Sequence, residues 1–438
     1  MPSSLAHSRA GLGIAVVVVS AAMLAPGLLG WEVHTHSHAV DPVPPLHATW
    51  DPKVGPGTLP AVLLALASWR WAVDLAERLP WRRLLLASWV VGLAWMLALA
   101  LVDGPDGISR ALGNSYEYLP TARATADIPA MLDEFVSRIP LAAPDNWVTH
   151  VAGHPPGALL FFVVLDQLGL GGDLAAGLVV TLIGASTSAA VLVTVRVLGA
   201  ETMARRAAPF LVLGPAAIWM AVSADAVFAA TAAWGLAALA GAAARRSRPL
   251  AVLAGVLLGG CVLLSYGLPL LGVLAVTILL LARTWRPLPI AAAAALVVVL
   301  ALVPFGFRLW EAFPVLRERY WDGIASDRPA AYWIWANLAV LILSSGPMLA
   351  AGWGRLTTRD AWTPPRRIVA ALSAAATASI LLADLSQLSK AEVERIWLPF
   401  VPWILLSVAL LPERWRRVGL AVQLVVALVL QHLLYTSW

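Results

Sequence analysis

Long apolar stretches, separated by short connections that carry arginine, dominate the chain from Gly11 onward. A helix needs roughly 20 apolar residues to cross the hydrocarbon core of a bilayer, and stretches near that length recur too often for a single anchor. The pattern predicts spans at Gly11–Gly30, Leu59–Ala76, Leu84–Leu101, Ala158–Leu170, Ala175–Leu198, Pro209–Val222, Asp225–Ala243, Leu250–Leu264, Leu268–Leu281, Pro287–Val303, Ala330–Trp353, Ile368–Leu385, Ile396–Leu411 and Val418–Leu434. Arg9 precedes the first, and no clean small-residue cleavage site follows it, so this stretch reads as an uncleaved span.

The arginines assign sides. Arg82 and Arg83, Arg205 and Arg206, Arg245, Arg246 and Arg248, Arg283 and Arg286, Arg366 and Arg367, and Arg414, Arg416 and Arg417 sit between apolar runs, and basic connections stay in the cytosol. Trp31–Gly57, Asp103–Pro156, Phe305–Pro329 and Asp384–Arg395 are then external. Two full crossings between Pro156 and Arg196 would put Arg205 and Arg206 outside, so one short run there is expected to be re-entrant or not to cross. The expectation is an all-α polytopic protein of roughly 13 spans with a cytosolic N-terminus and an external C-terminus. No internal repeat or soluble terminal domain interrupts it, so residues 1–438 read as one integral membrane domain.

Composition narrows the class. Hydrophobic residues make up 60% of the chain and charged residues 13%, where soluble domains carry about 25% charged residues; a soluble fold is excluded. The net charge of +5 is spread over the connections, so it speaks for membrane lipids as partners and not for nucleic acid. The lone cysteine, Cys261, excludes an intrachain disulfide. Most of the 21 tryptophans fall near span ends, where indole anchors a helix at the headgroups; Trp147, in the longest external loop, is also a candidate for stacking on a sugar ring.

Polar residues are sparse in such a chain, so a long external loop that gathers carboxylates, histidines and prolines is informative. Asp103–Pro156 is that loop. Within it Ile128, Met131, Leu132, Phe135, Val136 and Ile139 recur at helical spacing, predicting an amphipathic helix on the membrane surface that roofs a site beneath it. Upstream lies the acidic-aromatic element Ser115-Tyr116-Glu117-Tyr118, and downstream His154-Pro155-Pro156-Gly157 leads into an apolar helix.

These elements resemble the GT-C superfamily of membrane glycosyltransferases, which take a sugar from a polyprenyl-phosphate carrier and have a catalytic Asp or Glu in an external loop followed by an HPP or KPP element. Two further patches, Asp322–Val340 and Leu388–Trp403, look like parts of actinobacterial members, including those identified as methylthioxylose transferases of cell-wall glycans. The three patches cover about a quarter of the chain. The resemblance implies a membrane glycosyltransferase with a lipid-phosphate-sugar donor and an extracytoplasmic glycan or glycolipid acceptor. In the superfamily the acidic loop usually follows the first span directly; here two spans and another acidic loop come first.

The implied chemistry needs a carboxylate to take the proton of the attacking sugar hydroxyl and cations to receive charge on the departing phosphate. Glu117 is the first candidate for the base, with Asp103, Asp106, Asp41 and Asp51 as alternatives. Arg395 and then Lys390 are the candidates for phosphate, with Arg308, Arg317, Arg319 and Arg328 as another external basic group. Both lysines of the chain, Lys53 and Lys390, fall in external loops. Tyr118, His150 and His154 are candidate substrate contacts, and Pro155-Pro156 suit a first helical turn. Asp133 and Glu134 read as the wet face of the surface helix, and Asp225, after Ser223, as a helix cap in preference to a ligand. His34, His36 and His38 alternate as metal ligands on a strand do, which leaves a divalent metal open although no carboxylate cluster or cysteine completes a set. A secondary transporter or a lipid-carrier flippase is the competing class.

Overall fold

The computed structural model describes residues 2–35 and 41–436. Eight of its helices are long and apolar enough to cross a membrane: Leu5–Leu29, Thr58–Arg78, Trp81–Asp103, Asp173–Val197, Ala224–Arg245, Leu288–Phe305, Arg366–Leu385 and Glu413–Leu433. A further pair, Ala330–Ser345 and Met348–Leu356, bends by 113° at Gly346. Pro156–Gln167, Arg248–Leu264, Leu268–Leu281 and Val401–Leu410 are shorter apolar helices. The protein is a helical membrane protein.

Burial ranks the helices. Ala224–Arg245 is 89% buried over its most apolar window, while Leu5–Leu29 and Leu288–Phe305 are only 11% and 6% buried. The first is the central post, and the other two present side chains to lipid. Small residues set how closely neighbours approach. A Cβ on Gly255 would lie 2.2 Å from the Ala291 carbonyl oxygen and one on Gly259 2.7 Å from that of Ala295, so Arg248–Leu264 packs against Leu288–Leu300 only because these two positions lack side chains.

Polar contacts define two ends of the bundle. At one, Arg205 donates to the carbonyls of Ala76 and Leu79 at 2.9 Å, Arg206 pairs with Glu413 at 3.2 Å, Arg417 pairs with Asp74 at 2.8 Å and Arg416 bridges Glu77 and Glu413. At the other, Arg123 donates to the carbonyl of Gly171 and pairs with Asp173, and Glu117, His150, Asp225 and Arg395 converge. Asp173–Val197 therefore runs from the second end to the first. Pro156–Gln167 starts beside His154 and is followed by Gly171, whose carbonyl accepts Arg123, so its flanks contact the second end.

Two local differences from expectation have clear causes. The segment 48–50 pairs antiparallel with 434–436, Thr49 facing Tyr435; Pro42, Pro44 and Pro45 keep the chain before it from helix, and the short ribbon ties the C-terminal segment to the first connection. The amphipathic helix begins on the Asp127 cap but ends at Asp133, short of Ile139. The Phe135 carbonyl, which would take the Ile139 amide in a continued helix, accepts the Trp147 indole N–H at 2.9 Å; beyond it Arg138 accepts the Trp147 amide at 2.9 Å and Ile139 accepts the Arg319 guanidinium. Met131, Leu132, Phe135 and Ile139 are nonetheless buried, so the apolar face survives as a turn-rich cover.

Candidate functional site

Each polar group of the convergent cluster is fixed by its own local structure. Asn114 opens a turn by accepting the Tyr116 amide on its side chain at 2.8 Å, and its carbonyl accepts the Glu117 amide at 3.2 Å. Glu117 then stands just before the helix Tyr118–Ala124. Tyr118 is buried, stacked on Phe162 with centroids 5.3 Å apart. His150 occupies a single helical turn, Thr149–Ala152, and its amide donates to the Tyr116 carbonyl at 3.2 Å. His154 Nδ1 donates to the His150 carbonyl at 2.9 Å. Asp225 lies in the first turn of Ala224–Arg245, its amide donating to Ser223 Oγ at 3.1 Å.

Arg395 joins them. Its Nη1 meets Glu117 Oε1 at 3.3 Å, its Nη2 meets His150 Nδ1 at 3.0 Å, and its Nε lies 3.4 Å from Asp225 Oδ2. A guanidinium only donates, so His150 Nδ1 accepts and the ring proton sits on Nε2, which faces Glu117 Oε1 at 3.5 Å. All four side chains are at least nine-tenths buried. Glu117 Oε1 thus takes the Arg395 donor with His150 Nε2 beside it, while no hydrogen bond reaches the buried Glu117 Oε2 among the described residues.

Burial is expensive for an ionised carboxyl and pushes Glu117 up to about 7, against the pull of Arg395 and with a push from Asp225. Burial, reinforced by Arg395, holds His150 well below the ordinary histidine range, and burial lowers His154 as well. Burial disfavours the charge on Arg395, but Asp225 and Glu117 outweigh it and keep its pKa above the ordinary value. The outcome is a neutral imidazole, a fixed cation, and a carboxyl poised to exchange a proton near neutrality.

A second layer holds the segment that bears Arg395. Gln387, Ala391 and Glu392 all adopt left-handed backbone, φ 58°, 64° and 61°, conformations that cost about 1–3 kcal/mol each and persist only under constraint. Asn337 supplies constraint: its Nδ2 donates to Asp384 Oδ1 at 2.7 Å and to the Ser389 carbonyl at 2.9 Å, and its Oδ1 accepts the Ala391 amide at 3.2 Å. Arg328 donates to the carbonyls of Lys390 at 2.6 Å and His34 at 2.9 Å, and to Glu392 at 2.9 Å. Burial alone would raise Glu392, but His47, Arg328 and Arg395 hold it below the carboxylate range. Glu394 accepts the His47 amide at 2.9 Å, and burial lifts it to about 7.

The remaining candidates lie elsewhere. Lys390 Nζ donates to the carbonyls of Ala325 and Arg328 at 3.1 and 3.0 Å and covers Trp321, which ties it into the supporting layer. Arg319 reaches the Trp147 carbonyl at 2.8 Å, and Arg308 pairs with Glu311 at 2.9 Å. Asp103 pairs with Lys53 and accepts from Gln431 at 2.8 Å, and Asp51 lies 3.6 Å from Lys53; both belong to a cluster by the C-terminal ribbon. Asp106 and Asp41 are exposed. Trp147 is buried with the Arg138 guanidinium 3.5 Å above its ring. His36 and His38 fall outside the described residues, and His34 lies 3.9 Å from Glu32. Among the described residues no group of three or more His, Cys, Asp or Glu could hold a metal ion.

No protein-family model matches the chain, and no curated protein matches it. The cluster therefore stands on its own chemistry. The sequence offered Glu117, His150, His154 and Arg395 as candidates and weighed Asp225 as a cap in preference to a ligand. The available signal was an acidic side chain opening an apolar span, which is costly without a partner.

Proposed function

We infer that the protein is a membrane glycosyltransferase that moves a sugar from a polyprenyl-phosphate carrier to an extracytoplasmic glycan or glycolipid. The observation that carries this is the buried meeting of Glu117, His150 and Arg395. It supplies a proton acceptor tuned near neutrality beside a fixed cation, the two elements that transfer from a lipid phosphate needs. The acceptor hydroxyl oxygen forms the new bond to the anomeric carbon as the bond to the phosphate oxygen breaks. Its proton goes to Glu117, and the polyprenyl phosphate departs with its charge facing Arg395. His150, neutral and donating from Nε2, orients the Glu117 carboxylate.

Alternation of the arginine-bearing connections with the end that carries Glu117 supports about thirteen passes, a cytosolic N-terminus and an external cluster. A buried group of carboxylates around one arginine also suits a proton-coupled transporter, and Glu394, lifted to about 7 alongside Glu117, is the observation favouring it. Comparing the surface glycans of a deletion strain with its parent decides. A missing sugar that returns with the wild-type gene and not with Glu117→Gln supports transfer, and unchanged glycans overturn it.

A further inference from the structure

A cleft of about 500 Å³ opens between the helices Tyr118–Ala124 and Ile128–Asp133, within the size range of small-molecule sites. It lies against the cluster without containing it. Ser115 and Val148 line it, each two residues from a member of the Glu117–His150 pair. The His150 amide bonded to the Tyr116 carbonyl at 3.2 Å joins the two segments, so the chain that lines the cleft at Ser115 and Val148 leads directly into the Glu117–His150 pair.

Its chemistry differs from that of the Arg395 pole. Asp127 and Glu134 line it together with one cation, Arg138, and that arginine is committed: its Nε lies 3.1 Å from Asp145 Oδ2 and its guanidinium covers Trp147. A phosphate would meet two carboxylates and a spent arginine, so the cleft disfavours an anion. Ser115 and Thr121 offer hydroxyls without hydrogen-bond partners among the described residues. Ala124, Ala126, Ala130 and Met131 add apolar patches. Hydroxyls and carboxylates beside small apolar surfaces suit a ligand with vicinal hydroxyls on one side and C–H groups on the other.

We propose that this cleft binds the acceptor, and that the acceptor enters it as a neutral oligosaccharide. The acceptor role rests on the transferase assignment; the binding does not. The full-length protein in lipid nanodiscs is titrated with neutral trisaccharides of glucose, mannose and arabinose, with a sulfated trisaccharide as the anionic control, and binding is read by saturation-transfer NMR. Wild type should bind at least one neutral trisaccharide and not the sulfated one. Ala130→Trp, which fills the cleft from an exposed position, should weaken binding at least tenfold. Asp127→Asn, which keeps the helix cap, and Thr121→Val, which only removes a hydroxyl, should weaken it severalfold, covering the case in which Ala130→Trp misfolds. Absence of binding to every neutral trisaccharide, or binding unaffected by all three cleft variants, overturns the proposal. Trisaccharide binding abolished by Ala130→Trp in a protein with no transfer activity supports the cleft and counts against the transferase. Transfer that Ala130→Trp leaves unchanged overturns the cleft and leaves the transferase standing.

Discussion

The Arg395 guanidinium meets the Glu117 carboxylate at 3.3 Å across 278 residues of chain. Neither group is affordable alone: a buried, uncompensated charge costs several kcal/mol, and both side chains are at least nine-tenths buried. The loop that carries Glu117 and the left-handed segment that carries Arg395 are thus stabilised by one another, and Asp225 fastens both to the central helix at 3.4 Å. Two carboxylates share one guanidinium, so an anion entering the cluster would compete for Arg395 and loosen its hold on Glu117.

Glu117→Gln keeps the size of the side chain and an oxygen for Arg395 but removes the proton acceptor. General-base contributions are about 10²–10⁴-fold, so turnover should fall by that factor while expression and melting temperature stay near wild type. The measurement is transfer of radiolabelled sugar from polyprenyl phosphate in purified membranes. Near-full turnover in Glu117→Gln, with loss in Asp103→Asn or Asp51→Asn, would move the base to the cluster beside Lys53.

The pH dependence has a sign for activity and another for stability. As a base Glu117 must be ionised, so kcat/KM should rise tenfold per pH unit below about 7 and level off above it. Glu394, also raised to about 7, favours the folded state when protonated. Its contribution is fully present below the unfolded value of 4.5 and is lost as pH rises through about 7. Glu394→Gln removes that loss, so its melting temperature relative to wild type should climb between pH 4.5 and about 7 and level off above it. The pH profile of activity should stay unchanged, and a shifted one would make Glu394 part of the proton chemistry.

Asn337 should act as a positioning residue. Asn337→Leu strands the Ala391 amide, the Ser389 carbonyl and the Asp384 carboxyl, each buried group left unpaired costing about 1–3 kcal/mol. A clear fall in melting temperature is expected, together with a raised KM for donor as the left-handed segment lets Arg395 drift. A stable variant with unaltered donor KM would show that Arg328 and Lys390 hold the segment unaided.

The apolar helices and the gathering of polar residues in the loop around Glu117 were legible because both are written in local pattern: apolar length for one, polar residues where few exist for the other. His150 and Arg395 were visible singly, as polar groups beside predicted span ends. Their meeting was not, because nothing local joins residues separated by 245 positions. Asp225 illustrates the limit best. Its N-terminal position in an apolar helix reads equally as a cap or as a partner, and it serves beside the Ser223 cap while turning its carboxylate to Arg395. The shortness of Pro156–Gln167 was anticipated, because two full crossings before Arg196 would have placed Arg205 and Arg206 outside.

Arg395 offers the sharpest separation of structure from chemistry. Arg395→Ala leaves Glu117 and Asp225 buried without their cation, a change worth about 3–5 kcal/mol, so the variant should express poorly and its inactivity would be uninformative. Arg395→Lys keeps the charge but replaces a planar fork with a single ammonium, which cannot meet Glu117, His150 and Asp225 in three directions at once. This variant should fold with a modestly lower melting temperature. His150 Nδ1 then loses its guanidinium partner, and the pH at which activity levels off should move as the environment of the carboxyl changes. Donor use should weaken by about 2–5 kcal/mol if the fork also meets the phosphate, the range for disrupting a buried charge pair. A lysine variant with wild-type donor KM and an unmoved pH profile would show that Arg395 only holds the fold, and would transfer phosphate recognition to the exposed Arg308 and Arg317 on the helix Leu309–Asp322 and its approach.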